Sequence, residues 1–305
     1  MPPSHAVIAG VNKAGTTSLF ASLSAHPDVA PASIKETRYF LPARYGESLD
    51  PISVYDGYFA DAAPGAVRLE ATPSYLYGTS AVARAIDDAL PDPRVLVMLR
   101  EPVARAISFF RYQKARLRLP VDLTLAGYLT EADALAEADF GDPENEKFMA
   151  YRGGLYADFI PSWLEQFGPD RVRFVFFEDL LGDPLPTLRG VVSWLELDST
   201  VIGADDLSSE NRTTGYKSGA LQRVALSGND RFEAFFRRHM GLKRRLRSLY
   251  YAMNGQHPQD DVEDDARDAL AARYTAPNAA LAALFTPLGV ALPDWLAAST
   301  RQPPA

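Results

Sequence analysis

A chain of 305 residues with 47% apolar and 23% charged residues has the composition of an ordinary soluble globular protein, large enough to bury a real core. Its net charge of −8, from 31 basic against 39 acidic residues, argues against broad binding to nucleic acid while leaving room for a local basic pocket. The absence of cysteine excludes disulfides and thiolate metal sites.

No apolar run approaches the roughly 20 residues of a membrane span. MPPSH passes straight into an apolar strand, with no room for a cleavable leader. A cytoplasmic protein with no nucleic-acid partner is expected. No group of ligand side chains implies a metal. The abundance of Ala, Arg, Asp and Pro suggests a high-GC bacterial source. Oligomeric state is not legible.

The first element in the chain is HAVIAGV, residues 5–11. It is a short apolar run without alternation, as expected of a parallel strand covered on both faces. GVNKAGTTSL, residues 10–19, leads from it into a helical pattern over 17–25. A loop that leaves a strand and opens a helix exposes unsatisfied N–H groups at the positive end of the helix dipole. Gly10 and Gly15 let the backbone curl around an anion, Lys13 adds a charge, and Thr16, Thr17 and Ser18 add hydroxyl donors. In a nucleotide-kinase loop of the form G-x-x-x-x-G-K-[ST] the lysine follows the second glycine. Here it lies two residues before Gly15.

SIKETRYF (33–40) follows, then a strand VRLEATP (67–73), a helix over 80–90 and a strand RVLVMLR (94–100) that runs into REPVARAISFFRY. Arg100 ends that strand on the sheet's carboxyl edge, where open α/β sheets bind ligands, and its planar fork suits phosphate. It can equally pair with Glu101 or Glu178. Pro102 suits the first turn of the next helix, which carries Ser108. A helix over 155–167, a strand RVRFVFFEDL (171–180) and a helix over 185–195 complete the alternation. The pattern predicts an α/β fold with a central, mostly parallel sheet. One domain is expected, with a core over 5–225 and a helical C-terminal part over 226–305.

The displaced motif K-x-G-T-T resembles the 5′-phosphosulfate loop of the sulfotransferases that use 3′-phosphoadenosine 5′-phosphosulfate as donor. The resemblance implies a P-loop-like three-layer fold, with Lys13, Ala14, Gly15, Thr16, Thr17 and Ser18 holding the 5′ end of the donor. Arg100 and Ser108 match the family's 3′-phosphate element. NRTTGYKSGALQR (211–223) is similar to its glycine-and-basic loop, making Arg212 and Lys217 further phosphate contacts, although an ordinary surface loop reads the same way. ETRYF resembles the segment of heparan-sulfate-type members whose glutamate is the proposed general base, and the matching residue is Glu36. Glu36 can also simply pair with Lys35 or Arg38.

The implied reaction is sulfuryl transfer from 3′-phosphoadenosine 5′-phosphosulfate to a hydroxyl of a glycan, glycosylated natural product or other small molecule, releasing adenosine 3′,5′-bisphosphate. In it Lys13 stabilises the departing phosphate. None of the four histidines, His5, His26, His239 and His257, stands where the small-molecule branch places its base. One departure concerns Glu70–Ala71–Thr72–Pro73–Ser74–Tyr75, where glycan-type members often carry lysine in place of Ala71. Either Lys13 suffices or Lys35 reaches across, and Glu70 is a second acidic group able to orient acceptor or base. Tyr39, Phe40, Tyr45, Tyr75, Tyr77, Phe109 and Tyr112 either line an acceptor cleft or belong to the core. The basic run 236–247 and acidic run 260–268 are solvated faces or, for the basic one, a local anion attractor. The competing readings are a P-loop nucleotide or small-molecule kinase, which needs a strand-end carboxylate for Mg²⁺, and a non-catalytic nucleotide-binding module.

Overall fold

The structure is a computed structural model that describes residues 2–206, 215–216, 255–256 and 262–300. Its described residues fall into two compact units, one drawn from 1–106, 151–211 and 270–305 and the other from 107–150 and 212–269.

The first unit is built on a five-stranded sheet of β1 (His5–Gly10), β2 (Val29–Pro31), β3 (Val67–Ala71), β4 (Pro93–Leu99) and β5 (Val172–Phe176), in the spatial order β2-β3-β1-β4-β5. Every neighbouring pair is parallel. All six residues of β1 are buried, and Val95–Leu99 of β4 are wholly inaccessible. That burial is why these strands read as continuous apolar runs instead of alternating ones.

The connections include α1 (Thr16–Leu23), α2 (Ile52–Gly57), α3 (Thr79–Ala89), α4 (Pro102–Ala115), α6 (Tyr156–Phe167), α7 (Phe177–Gly182) and α8 (Pro184–Trp194). The fifth helix, α5 (Leu125–Asp133), belongs to the second unit. The alternation of strands and helices follows the sequence expectation in four strands and four helices. Two features differ. β2 has only three residues, one a proline, too short for a periodic signal, and as an edge strand paired only with β3 it tolerates Pro31. The strand expected over 171–180 stops at Phe176, because its partner β4 ends at Leu99, directly opposite. The acidic pair Glu178 and Asp179 then occupies the first turn of α7, where the helix dipole favours negative charge.

The C-terminal helix α9 (Asp264–Phe285) returns to the sheet of the first unit, where Phe285 meets Phe174 with ring centroids 4.6 Å apart. Tyr274 on the same helix is fully buried and donates to the Tyr151 carbonyl at 2.7 Å. The second unit centres on Tyr128 of α5. Its ring packs on Phe110 at 5.2 Å, its hydroxyl donates to the Lys147 carbonyl at 2.9 Å, and the Ala150 N–H donates to that hydroxyl at 3.0 Å. Gly215–Tyr216 and Gly255–Gln256 pair there as a short antiparallel ribbon. No helix among the described residues is long and apolar enough to cross a membrane.

Most of the aromatics that the sequence left between cleft and core are core. Tyr39, Phe40, Tyr75, Tyr77 and Phe109 are all buried, whereas Tyr112 is exposed. Two of the four histidines are also structural. His26 is buried, with Nε2 3.0 Å from the Asp198 carbonyl and Nδ1 accepting from the Asp28 N–H at 3.1 Å. His5 lies inside β1, and burial lowers its pKa to about 4. His239 and His257 lie outside the described residues. Because the unfolded chain protonates His5 first, its contribution is complete above its ordinary value of 6.5 and is lost as pH falls through about 4. From that depression, to about 4 from 6.5, wild type should lose up to about 3 kcal/mol across this window that His5→Asn does not lose, measured by urea unfolding of both proteins from pH 7 to pH 4.

Candidate active site

The loop after β1 has the form of an anion cradle. Its Val11 N–H is tied to the Met98 carbonyl of β4 at 2.8 Å, and the Ala14 N–H turns back to the Val11 carbonyl at 3.3 Å. Gly15 then takes φ +89°, and α1 begins at Thr16 with no side-chain cap and no acidic residue in its first turn. The first N–H groups of a helix have no carbonyl one turn back to bond, so this end presents donors and dipole to an anion. Only glycine fits at position 15. A Cβ would lie 2.7 Å from the Phe177 ring and 3.0 Å from the Met98 methyl, besides being strained at that φ.

Lys13 is also left-handed, with φ 71°, a conformation that costs a non-glycine residue roughly 1–2 kcal/mol. Burial pushes its ammonium down to about 8, helped by the nearby charges of Arg100 and Lys35 and opposed by that of Glu36. Three charged groups, from two other stretches of sequence, therefore act on Lys13 at the carboxyl edge of the sheet.

Arg100 follows β4 directly. Its guanidinium lies over the Phe177 ring, 4.5 Å from the centroid, and Nη1 donates to the Lys13 carbonyl at 3.1 Å. Burial lowers its pKa. The carboxylates of Glu178 and Glu101, with which the sequence could pair it, partly offset that lowering by their charge and also bond to the backbone. Glu101 accepts from the Val103 and Ala104 N–H groups at 2.9 and 2.6 Å, and Glu178 accepts from the Glu101 N–H at 2.9 Å. Both carboxylates thus serve the start of α4, and Arg100 forms no ion pair among the described residues.

Two residues behind this edge were missed as site residues by sequence reasoning. Tyr156 is buried and donates to the Arg100 carbonyl at 2.7 Å, which holds the strand end that carries the arginine. Arg105 is fully buried on α4, with Nη1 3.5 Å from the Asn12 carbonyl of the anion loop. Gly153 makes room for it, since a Cβ there would stand 3.0 Å from both Arg105 Nη1 and the Tyr77 hydroxyl. Arg105 lies five residues beyond Arg100, and only folding reveals that it underlies the loop.

Glu36 sits in a second loop at the same edge. Its N–H donates to the Ala71 carbonyl at the end of β3, at 2.9 Å, and its carboxylate receives Lys35 Nζ at 3.2 Å on one oxygen and Arg38 Nη2 at 3.7 Å on the other. The ion pairs expected as the alternative role of Glu36 therefore exist, alongside its place near Lys13. Glu36 and Arg38 both have positive φ, 63° and 58°. Among the described residues seven non-glycine positions do so, and three of them, Lys13, Glu36 and Arg38, fall in these two loops. Strained backbone concentrated in this way is a mark of functional sites.

Comparison with known proteins is decisive. The family model for the sulfotransferase domain matches residues 3–243. The chain belongs to the sulfotransferase family. Heparan sulfate glucosamine 3-O-sulfotransferase 6 of Mus musculus is 30% identical over 265 residues, covering 83% of this chain and 72% of that protein. The bifunctional heparan sulfate N-deacetylase/N-sulfotransferase 1 of Caenorhabditis elegans is 27% identical over 196 residues, covering 63% of this chain and 22% of that one. In fold, the chain is similar to a sulfotransferase of Alicyclobacillus acidocaldarius, with a TM-score of 0.63 and 23% identity over 97% of this chain and 99% of the other.

As a sulfotransferase using 3′-phosphoadenosine 5′-phosphosulfate, the chain has a loop that suits its donor: an uncapped helix start, a glycine that nothing larger can replace, and two half-buried cations beside it. Lys13 through Ser18, Arg100 and Glu36 come together on the first unit. Ser108 is half-buried on α4 in the second unit, and Arg212 and Lys217 lie outside the described residues, as does the basic run 236–247. The Lys13 ammonium loses its proton above about 8, so if Lys13 binds the donor, affinity for adenosine 3′,5′-bisphosphate should fall about tenfold from pH 7 to pH 9. Titration calorimetry should detect this fall with net proton uptake at pH 9, and Lys13→Arg, which keeps its charge, should flatten it.

Proposed function

We propose that this sulfotransferase transfers the sulfuryl group to a hydroxyl of a glycan or glycosylated small molecule, with Glu36 as general base and Lys13 stabilising the leaving phosphate. The observation that carries the reading is the electrostatic coupling of Lys13 to Glu36, Lys35 and Arg100 across the ends of β1, β3 and β4. In the reaction the acceptor oxygen attacks sulfur as the bond from sulfur to the 5′-phosphate oxygen breaks. The acceptor proton passes to Glu36, and adenosine 3′,5′-bisphosphate departs with the electron pair. Such a transfer demands positioning, charge stabilisation at the leaving oxygen, and one base.

In this assignment the uncapped turn from Lys13 to Ser18 takes the 5′ end of the donor, while Arg100 takes its 3′-phosphate. Ser108, Arg212 and Lys217 are proposed as further phosphate contacts from the sequence resemblance alone. Lys35, which touches Glu36 and adds to the field at Lys13, supplies the charge for which Ala71 has no equivalent. The glycan acceptor is inferred from the relatives' names, which specify heparan sulfate. The net charge of −8 weighs against a densely sulfated polymer as the acceptor of this chain.

Adenosine 3′,5′-bisphosphate at about 100 times its dissociation constant should add about 2.7 kcal/mol to stability, a rise of a few degrees in melting temperature. ATP with Mg²⁺ should give none. A rise with ATP and Mg²⁺ alone would reinstate the kinase reading. Glu36→Gln should lower turnover on the order of 10²–10⁴-fold with an unchanged affinity for the bisphosphate. In the same assay Lys35→Ala should retain wild-type donor affinity and lose turnover, and full turnover there would end its role.

A further inference from the structure

Glu70, at the end of β3, has no access to solvent, so it cannot touch an acceptor, as one sequence reading allowed. Its polar partners lead elsewhere. One carboxyl oxygen, Oε1, accepts from three hydroxyls: Thr37 Oγ1, Thr72 Oγ1 at 2.9 Å and the Tyr75 hydroxyl at 2.8 Å. The other, Oε2, is also buried, and the buried Tyr55 hydroxyl is a further partner of the carboxyl. Burial raises the pKa of the group, and no ion pair is formed by it among the described residues.

Each of the three hydroxyls passes the bond on. The Arg38 N–H donates to Thr72 Oγ1 at 3.2 Å, the Tyr39 N–H to Thr37 Oγ1 at 3.3 Å, and the Phe40 N–H to the Tyr75 oxygen at 3.1 Å. A hydroxyl has one proton and two lone pairs. Because each spends its proton on Glu70, its oxygen must face the loop as an acceptor. One buried carboxyl oxygen thereby fixes the polarity of three hydroxyls, which in turn hold three consecutive backbone N–H groups. Those three residues directly follow the base through Thr37, in the stretch where Glu36 and Arg38 are left-handed.

We infer that Glu70 is a positioning residue: through Thr37, Thr72 and Tyr75 it holds the loop in the strained turn that presents Glu36. The inference rests on the reading of Glu36 as general base. Displacement of a reacting group by about 1 Å costs on the order of 10²-fold in rate, so release of the turn acts on turnover and leaves the donor loop, which hangs from β1 and β4, untouched.

Thr37 gives the cleanest test, because Thr37→Val keeps the shape and removes the hydroxyl between Glu70 and the loop. We expect Thr37→Val to lower kcat on the order of 10–100-fold with the donor KM unchanged. Thr37→Ser, which restores the hydroxyl, should recover most of that loss. In a Glu36→Gln background, Thr37→Val should have little further effect, since a base already removed cannot be misplaced. Glu70→Gln, which retains a carbonyl acceptor, should exceed Glu70→Leu in kcat, and if Glu70→Leu does not fold the Thr37 series decides alone.

Wild-type kcat in Thr37→Val would overturn the inference while leaving Glu36 as the base. So would an undiminished effect in the Glu36→Gln background. Full activity of Glu36→Gln itself would overturn both the base assignment and the inference built on it.

Discussion

Desolvation of positive charge governs the architecture of this site. Lys13 and Arg100 are each partly removed from water, and both have their pKa values lowered for that reason. Arg105, wholly buried, lies beneath the same loop. Cations held out of water strongly favour an incoming anion, since field lines that would end in solvent end on the ligand instead. Nearby carboxylates offset this field only in part, for Glu178 and Glu101 act on Arg100 by charge while also accepting from backbone N–H groups around the start of α4. The remaining face of Arg100 rests on Phe177, an aromatic surface that supports a guanidinium without neutralising it.

The parallel sheet makes this concentration possible. Since β1, β3 and β4 are neighbours and run in one direction, their carboxyl ends lie side by side. Chain connections lead away from the middle of the sheet in opposite senses at β1 and β4, the place where open α/β sheets form a binding crevice. Each strand end contributes a separate part: the glycine loop from β1, the anchor of the Glu36 loop from β3, and Arg100 from β4. Backbone strain at Lys13, Glu36 and Arg38 is tolerated because rigid strand ends and buried hydrogen bonds over-determine those turns.

Functional signals were legible wherever they were local. The anion loop could be read from residues 10–19 alone, because the glycine at a left-handed position and the helix start lie within one turn of each other. Glu36 was legible only through its family resemblance, and in isolation its pairing with Lys35 and Arg38 described it equally well. Tyr156 and Arg105 were invisible as site residues, being 56 and 93 positions from their backbone partners Arg100 and Asn12. The edge strand β2 escaped because three residues carry no period. The helix α7 was read as strand because Phe174, Phe176 and Phe177 continue the apolar run past the point where β4 ends.

By itself the sequence determined the α/β alternation, the anion loop and the chemistry of its residues, since these depend on side-chain type and on spacing within a few positions. Tertiary structure alone decided the rest. It gave Glu101 and Glu178 backbone N–H partners at the start of α4, and it made core of most of the aromatics that could have lined a cleft. It also set Arg105 beneath the loop and joined one oxygen of Glu70 to three hydroxyls around the Glu36 loop. The physical reason is the same in each case. Burial and charge coupling depend on distances in space, and the chain brings those distances about only when its strands are laid side by side.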